Sequence, residues 1–263
     1  ANQNFTENKN FKIHKMLDID QDALILFTSG TTGEPKGVVH NLRSIYSRIN
    51  LNGKFIGKNF LKNSLCPLPT HFGHGLIGNC LTSLFFGSNL YLLSNFSANQ
   101  AINFGKIINE NKITFISSVP TMWKLIIKVS ESPKKSNLRI HIGSSQVTQS
   151  LLYSVSKWSK SKNIYNMYGI TETCNWIGGK KFSPKNNKEG LVGKPWGGQY
   201  AIKNKNKISL FGSGEILVNT PSVMKYYYAN NRETNKVFIE SWFKTGDIGK
   251  LNKNGELLLT GRI

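Results

Sequence analysis

Between residue 20 and about residue 170, short apolar runs alternate with segments of helical period, and no other feature narrows the possible fold so far. The runs at residues 24–27, 89–93, 113–117 and 138–142 read as strands. The segments between them repeat apolar residues every three or four positions. Ala101, Phe104 and Ile108 do so within 99–111, and Leu151, Val155 and Trp158 within 148–160. Strand, helix and strand in repetition predict a mainly parallel sheet layered with helices, with ligands at the loops leaving the strand ends. After about residue 184 the pattern turns to short alternating strands at 207–211, 214–218 and 257–260, with turn signals at Gly212-Ser213-Gly214 and Asn254-Gly255. The expected architecture is α/β over residues 1–185, followed by a small distorted antiparallel β-barrel over 186–263.

The first strand empties into LFTSGTTGEPKGVVH, residues 26–40. Glycines here let backbone N–H groups approach a ligand, hydroxyls add donors, and Lys36 adds a positive charge, a combination suited to a polyphosphate. It is not a Walker loop: counting from Gly30 sets Pro35 where the second glycine belongs and Gly37 where the hydroxyl should follow Lys36. Residues 165–173, YNMYGITET, offer Tyr168 for stacking on a base, Thr171 for a phosphate and Glu172 for Mg²⁺, although Tyr-Gly turns and Thr-x-x-Glu caps are common. In WFKTGDIG, residues 242–249, Asp247 can accept two bonds from a ribose diol, or the segment is a plain turn. Arg262 stands where a guanidinium can reach sugar or phosphate. In LCPLPTHFGHGLIGN, residues 65–79, His71, Phe72 and His74 have no third metal ligand nearby and a glycine spacing that does not read as helical, so they read as a pocket wall.

The formal net charge is +20, but the lysines are scattered among asparagines, so nucleic-acid binding is not expected. No apolar run approaches the length of a membrane span, and the first residues are polar where a signal peptide is apolar, so a cytoplasmic protein is expected. Three well-separated cysteines without CxxC spacing predict reduced, buried thiols rather than a disulfide framework or zinc site.

The stretches at 28–36, 71–75, 143–145, 165–173, 214–215 and 247–262 occur in the order and spacing of the adenylate-forming (AMP-binding) superfamily, which includes acyl-CoA synthetases, firefly-type luciferases and peptide-synthetase adenylation domains. The chain resembles that family from end to end, TSGTTGEPKGV being the most specific signature and YGITET, WFKTGD and GELLLTGR corroborating it. The resemblance implies an acid–thiol ligase: ATP and a carboxylic acid give an acyl-adenylate and pyrophosphate, and the acyl group passes to the thiol of coenzyme A. Alternatives are delivery to a carrier-protein phosphopantetheine thiol, or a non-catalytic nucleotide-binding relative. A carboxylate is a poor nucleophile toward a triphosphate, so alignment and charge neutralisation must supply the catalysis.

By the same resemblance, Thr28, Ser29, Gly30, Thr31, Thr32, Gly33 and Lys36 would hold the β- and γ-phosphates, Thr171 the α-phosphate and Glu172 the Mg²⁺. Gly143, Ser144 and Ser145, with the Asn166-Met167-Tyr168-Gly169 segment, would enclose adenine, and Asp247 and Arg262 would fix the ribose. His71, Phe72, His74 and Gly75 would line or gate the acyl entrance, the gating aromatic being open by one residue, and Trp176 and Ile177 would shape the pocket. Two positions depart from the family pattern: Gln146 stands where many relatives have proline, and Lys225 where a glycine often precedes the tyrosine. The resemblance also implies that the chain is the central part of a longer enzyme, ending near the family's hinge.

Overall fold

The computed structural model describes residues 18–28, 35–93, 96–134, 137–185, 188–205 and 207–263. Its first eight strands are β1 (Asp22–Thr28), β2 (Lys36–Asn41), β3 (Asn63–Cys66), β4 (Asn89–Leu92), β5 (Phe115–Ser118), β6 (Arg139–Ile142), β7 (Asn163–Gly169) and β8 (Trp176–Lys181). The remainder are β9 (Leu191–Gly193), β10 (Gln199–Asn204), β11 (Lys207–Ser209), β12 (Gly212–Asn219), β13 (Tyr226–Tyr227), β14 (Phe238–Ile239), β15 (Trp242–Leu251) and β16 (Leu257–Arg262).

The α/β layer is a six-stranded sheet of order β4-β3-β5-β6-β7-β8, parallel except for the antiparallel β7–β8 pair. Successive side chains point to opposite faces of a strand, and that alternation sorts this sheet into two cores. Ile116, Ile140, Ile142 and Ile164 join Phe104, Trp123, Val155 and Trp158 of the covering helices. Phe115 and Met167 pack on the other face with Ile56 and Trp176.

The helix predicted over 148–160 is present as Gln149–Ser159. Thr148 caps it by accepting from the Leu151 N–H, and it ends at Lys160 in the left-handed conformation. The predicted 99–111 helix is two helices, Ala98–Ile102 and Phe104–Glu110, broken at Asn103, while Ala101, Phe104 and Ile108 are buried as their spacing requires. Within the 65–79 stretch whose glycine spacing did not read as helical, a π-helix begins instead, His74–Leu81. Its glycines mark close packing there: a Cβ on Gly75 would lie 2.3 Å from the Pro69 carbonyl oxygen.

One strand sits in a different place from its expected one. β1 does not join the parallel sheet; it pairs antiparallel with β2, Thr28 opposite Lys36, in a separate sheet completed by β13. The stretch expected to hold phosphate therefore starts and ends on antiparallel-paired strands rather than leaving a parallel one. Sequence period cannot distinguish these arrangements, because pairing partners lie far apart along the chain.

From β9 onward every strand but β13 joins one antiparallel seven-stranded sheet, of order β11-β10-β12-β15-β16-β9 with β14 on β15, where a small barrel was expected. Its core gathers Val192, Tyr200, Ile202, Ile216, Val218, Phe243 and Leu257, and takes in Val38, Tyr168 and Ile177 from the preceding strands. All three cysteines are free and buried.

Candidate active site

Four parallel strands end on one side of the sheet. The residues at and beyond their ends, Leu68-Pro69 after β3, Val119 after β5, Ser144 after β6, and Gly169 at the end of β7 with Ile170 to Glu172 after it, meet in a cleft of about 520 Å³. This is where open α/β sheets bind ligands, and the volume is that of a small-molecule site. Phe27 and Thr28 of the β1–β2 hairpin, Arg262 of β16 and Trp176 of β8 complete the walls.

Thr171 and Glu172 lie on a single 3₁₀ turn, Thr171–Thr173. The Tyr227 hydroxyl donates to Glu172 Oε1 at 2.8 Å, and burial together with this carboxylate raises the Tyr227 phenol, which stays protonated. Behind the turn, His40 is fully buried with Nε2 2.9 Å from the Thr171 carbonyl oxygen and Nδ1 3.2 Å from Cys174 Sγ. Burial pushes the His40 imidazole down to about 4 and the Cys174 thiol up to about 12, so both are neutral at physiological pH. Gly169 at the foot of the turn admits no side chain, since a Cβ would sit 2.3 Å from the Asn175 carbonyl oxygen.

Lys36 faces Glu233, with Nζ 2.9 Å from Oε2, and its ammonium stands 5.4 Å from the Tyr227 ring centroid. Hydrogen bonds from Lys236 and Lys36 hold the Glu233 carboxyl down at about 2. Asp247 accepts from the Tyr168 hydroxyl at 2.7 Å and lies 3.6 Å from Arg262 Nε; burial pushes its carboxyl up against those two favourable contacts.

On the cleft wall, His74 is pinned by both nitrogens, Nδ1 2.6 Å from Ser144 Oγ and Nε2 2.5 Å from Ser117 Oγ, and stands edge-on to Trp176. Burial pushes it down to about 3, so it presents a neutral ring. Ser144 is held with φ at 67°, a conformation rare for a side-chain-bearing residue and concentrated at functional turns.

The cleft thus gathers Thr28, Phe72, His74, Gly75, Ser144, Gly169, Thr171, Glu172 and Arg262 from the expected set. Gly143 is buried beneath Ser144, with Ser145 exposed beside it, and His71 is exposed and packs on Phe72 at 4.2 Å. Ser29, Gly30, Thr31, Thr32 and Gly33 lie outside the described residues.

Three side chains of the expected adenine segment are engaged elsewhere. The Asn166 amide donates to the Leu191 carbonyl, Met167 packs against Phe115 and Trp176, and Tyr168 is buried in the core of the antiparallel sheet with its hydroxyl on Asp247. Strand alternation in β7 directs these side chains into cores, leaving Gly169 at the cleft. Alternation likewise puts Trp176 on the cleft and Ile177 in the opposite core.

Leu68, Pro69, Val119, Cys174 and Asn175 line the cleft without having been expected to; Tyr227 holds Glu172, and Glu233 holds Lys36, whose side chain does not line the cleft. Cys174 and Asn175 directly follow the Thr171–Thr173 turn, a proximity the sequence displays. Glu233 lies 197 positions from Lys36, and nothing in the sequence pairs them.

Residues 1–228 match the model of the family described as AMP-binding enzyme. The chain belongs to this family. It is 32% identical over 248 residues to a 2-succinylbenzoate–CoA ligase of Bacillus velezensis, covering 93% of this chain and 49% of the relative. It is 31% identical over 265 residues to a malonate–CoA ligase of Arabidopsis thaliana, covering 93% of this chain and 43% of that protein. The chain therefore spans about half the length of the curated relatives it matches. Among solved structures, the O-succinylbenzoate coenzyme A synthetase of Bacillus subtilis in complex with ATP and magnesium superimposes with a TM-score of 0.82 at 29% identity, over 93% of this chain and 51% of that one.

Proposed function

We propose that this chain forms the nucleotide- and acyl-binding body of an AMP-forming acid–thiol ligase, which joins a carboxylic acid to ATP and then transfers the acyl group to coenzyme A. The observation that carries this reading is the convergence, on one cleft, of the Thr171–Glu172 turn, the Thr28 end of the β1–β2 hairpin and Arg262. The relatives named above are coenzyme A ligases, which favours that acceptor over a carrier-protein thiol. We divide the chain into an α/β part over 1–185 and an antiparallel β part from 186, the boundary lying just before β9, with β13 returning to the first part.

The donor set fits a magnesium nucleotide: a carboxylate with one oxygen already held, hydroxyls on Thr28 and Thr171, and the Arg262 cation around one cleft. Mg²⁺, held by Glu172, would supply charge neutralisation at the phosphates. Thr171 would donate to the α-phosphate. Lys36 would exchange Glu233 for phosphate oxygen, a short move for a lysine already poised on the Tyr227 ring. Asp247, oriented by Tyr168 and Arg262, would accept from the ribose hydroxyls. The wall of Leu68, Pro69, Val119 and Trp176, with neutral His74, would pack against the carbon skeleton of the acid.

The test is pyrophosphate release by the whole protein with Mg·ATP over a panel of aliphatic, aromatic and dicarboxylic acids, each with and without coenzyme A. Acid-dependent release, raised by coenzyme A, is expected. ATP binding without release for any acid would overturn the ligase reading. Lys36→Ala and Asp247→Ala should each weaken ATP use at least tenfold with the fold intact, the scale of one charge-assisted contact, about 1.5–3 kcal/mol. Unchanged ATP kinetics in a folded variant would remove that residue from the site.

A further inference from the structure

His40 takes no part in the steps above, yet it connects the two halves of the site. It lies on β2, four residues beyond Lys36, and its ring reaches the Thr171–Thr173 turn. The Thr171 carbonyl can only accept, so the neutral ring carries its proton on Nε2 and leaves a lone pair on Nδ1 for the Cys174 thiol to approach as donor. One turn of 3₁₀ helix does not hold itself in place. Within the turn the Thr171 carbonyl accepts from the Cys174 N–H at 3.0 Å, and each carbonyl is also held from outside: Thr171 by His40, Glu172 by the Met224 N–H at 2.6 Å, and Thr173 by the Ser222 hydroxyl at 3.2 Å. Of the three outside donors, His40 alone comes from the strand that carries Lys36.

We propose that His40 is a positioning residue for Mg·ATP: its Nε2–H fixes the Thr171 carbonyl, Cys174 fixes the tautomer, and together they set β2, with Lys36 at its start, against the turn carrying Thr171 and Glu172. The inference rests on the assignment of that turn to phosphate and metal under the proposed function. A histidine that merely filled the core would be replaceable by any side chain of its size.

The experiment measures Mg·ATP affinity by titration calorimetry on the whole protein, with thermal unfolding recorded in parallel, for His40→Leu, His40→Gln, Cys174→Ser and Cys174→Ala. The Leu variant should bind Mg·ATP at least tenfold more weakly. The Gln variant, whose side-chain amide can still donate to the carbonyl, should recover most of that loss. Ala at 174 should bind several-fold more weakly than wild type, and Ser, whose hydroxyl can still donate to Nδ1, more tightly than Ala. A folded Leu variant within twofold of wild type would overturn the inference, as would Leu and Gln variants weakened equally. If the Leu variant does not fold, Cys174→Ala decides, and wild-type affinity there overturns the proposal. A wild-type protein that fails to bind Mg·ATP would overturn the functional reading and this inference with it, whereas wild-type binding with an indifferent Leu variant overturns the inference alone.

Discussion

Replacing Tyr168 by phenylalanine separates two accounts of one side chain. The substitution keeps the aromatic face, which suffices if Tyr168 stacks on adenine, and removes the hydroxyl that the structure places 2.7 Å from Asp247 Oδ2. Tyr168 is 6% exposed and Asp247 9%, so water cannot readily replace the lost donor. A buried hydrogen bond to a charged group contributes about 1.5–3 kcal/mol, so the variant should lose about 2 kcal/mol of stability at neutral pH. The same energy makes ionisation of Asp247 about thirty-fold less favourable. Asp247 is already pushed up by burial, and the Tyr168 hydroxyl is the main contact opposing that.

The sign of the pH dependence follows. The bond favours the ionised carboxylate, so the gap between wild type and variant is full where Asp247 is ionised and closes as acid protonates it in both. Urea unfolding followed by tryptophan fluorescence, at neutral pH and at successively lower pH, reads the gap directly. AMP affinity should fall together with stability, because an unanchored Asp247 presents the ribose with a mobile partner. A phenylalanine variant within about 0.5 kcal/mol of wild type at neutral pH, with wild-type AMP affinity, would refute the reasoning.

Gly169→Ala drives a methyl group to 2.3 Å from the Asn175 carbonyl oxygen and 2.5 Å from the Trp176 Cα, and main chain cannot swing aside as a side chain does. Overpacking of this kind costs about 1–3 kcal/mol, measurable by urea unfolding, and should displace the Thr171–Glu172 turn enough to weaken nucleotide binding; unaltered stability would show that β8 yields freely. Acid should destabilise the fold through His40, which is neutral when folded, with its imidazole at about 4, and takes up a proton near 6.5 when unfolded. That stability is present above 6.5 and is lost as pH falls toward 4, up to about 3 kcal/mol, so His40→Gln should flatten the pH dependence of unfolding over that window.

Much was legible in the sequence because it is local. The 148–160 helix shows its cap and buried stripe within a dozen residues, and the Gly143, Gly169 and Thr171–Glu172 segments sit at strand ends as the alternation of runs requires. The glycines of residues 73–78 misled, because a glycine that makes room for a neighbouring backbone looks the same in sequence as one that breaks a helix. The position of Tyr168 was not legible: an aromatic beside a site can face ligand or core, and only the structure shows this one buried with its hydroxyl on Asp247.

The sequence by itself determined the order of elements, the switch from α/β to antiparallel strands, and the chemistry-bearing motifs, since propensity, period and turn residues act over a few positions. Only the tertiary structure decided that β1 pairs with β2 outside the parallel sheet, that Glu233 meets Lys36, that Tyr168 serves Asp247, and that His40 reaches behind the Thr171–Thr173 turn. Each of these joins residues scores of positions apart or chooses among partners of equal local propensity, and that choice is made by the packing of whole layers.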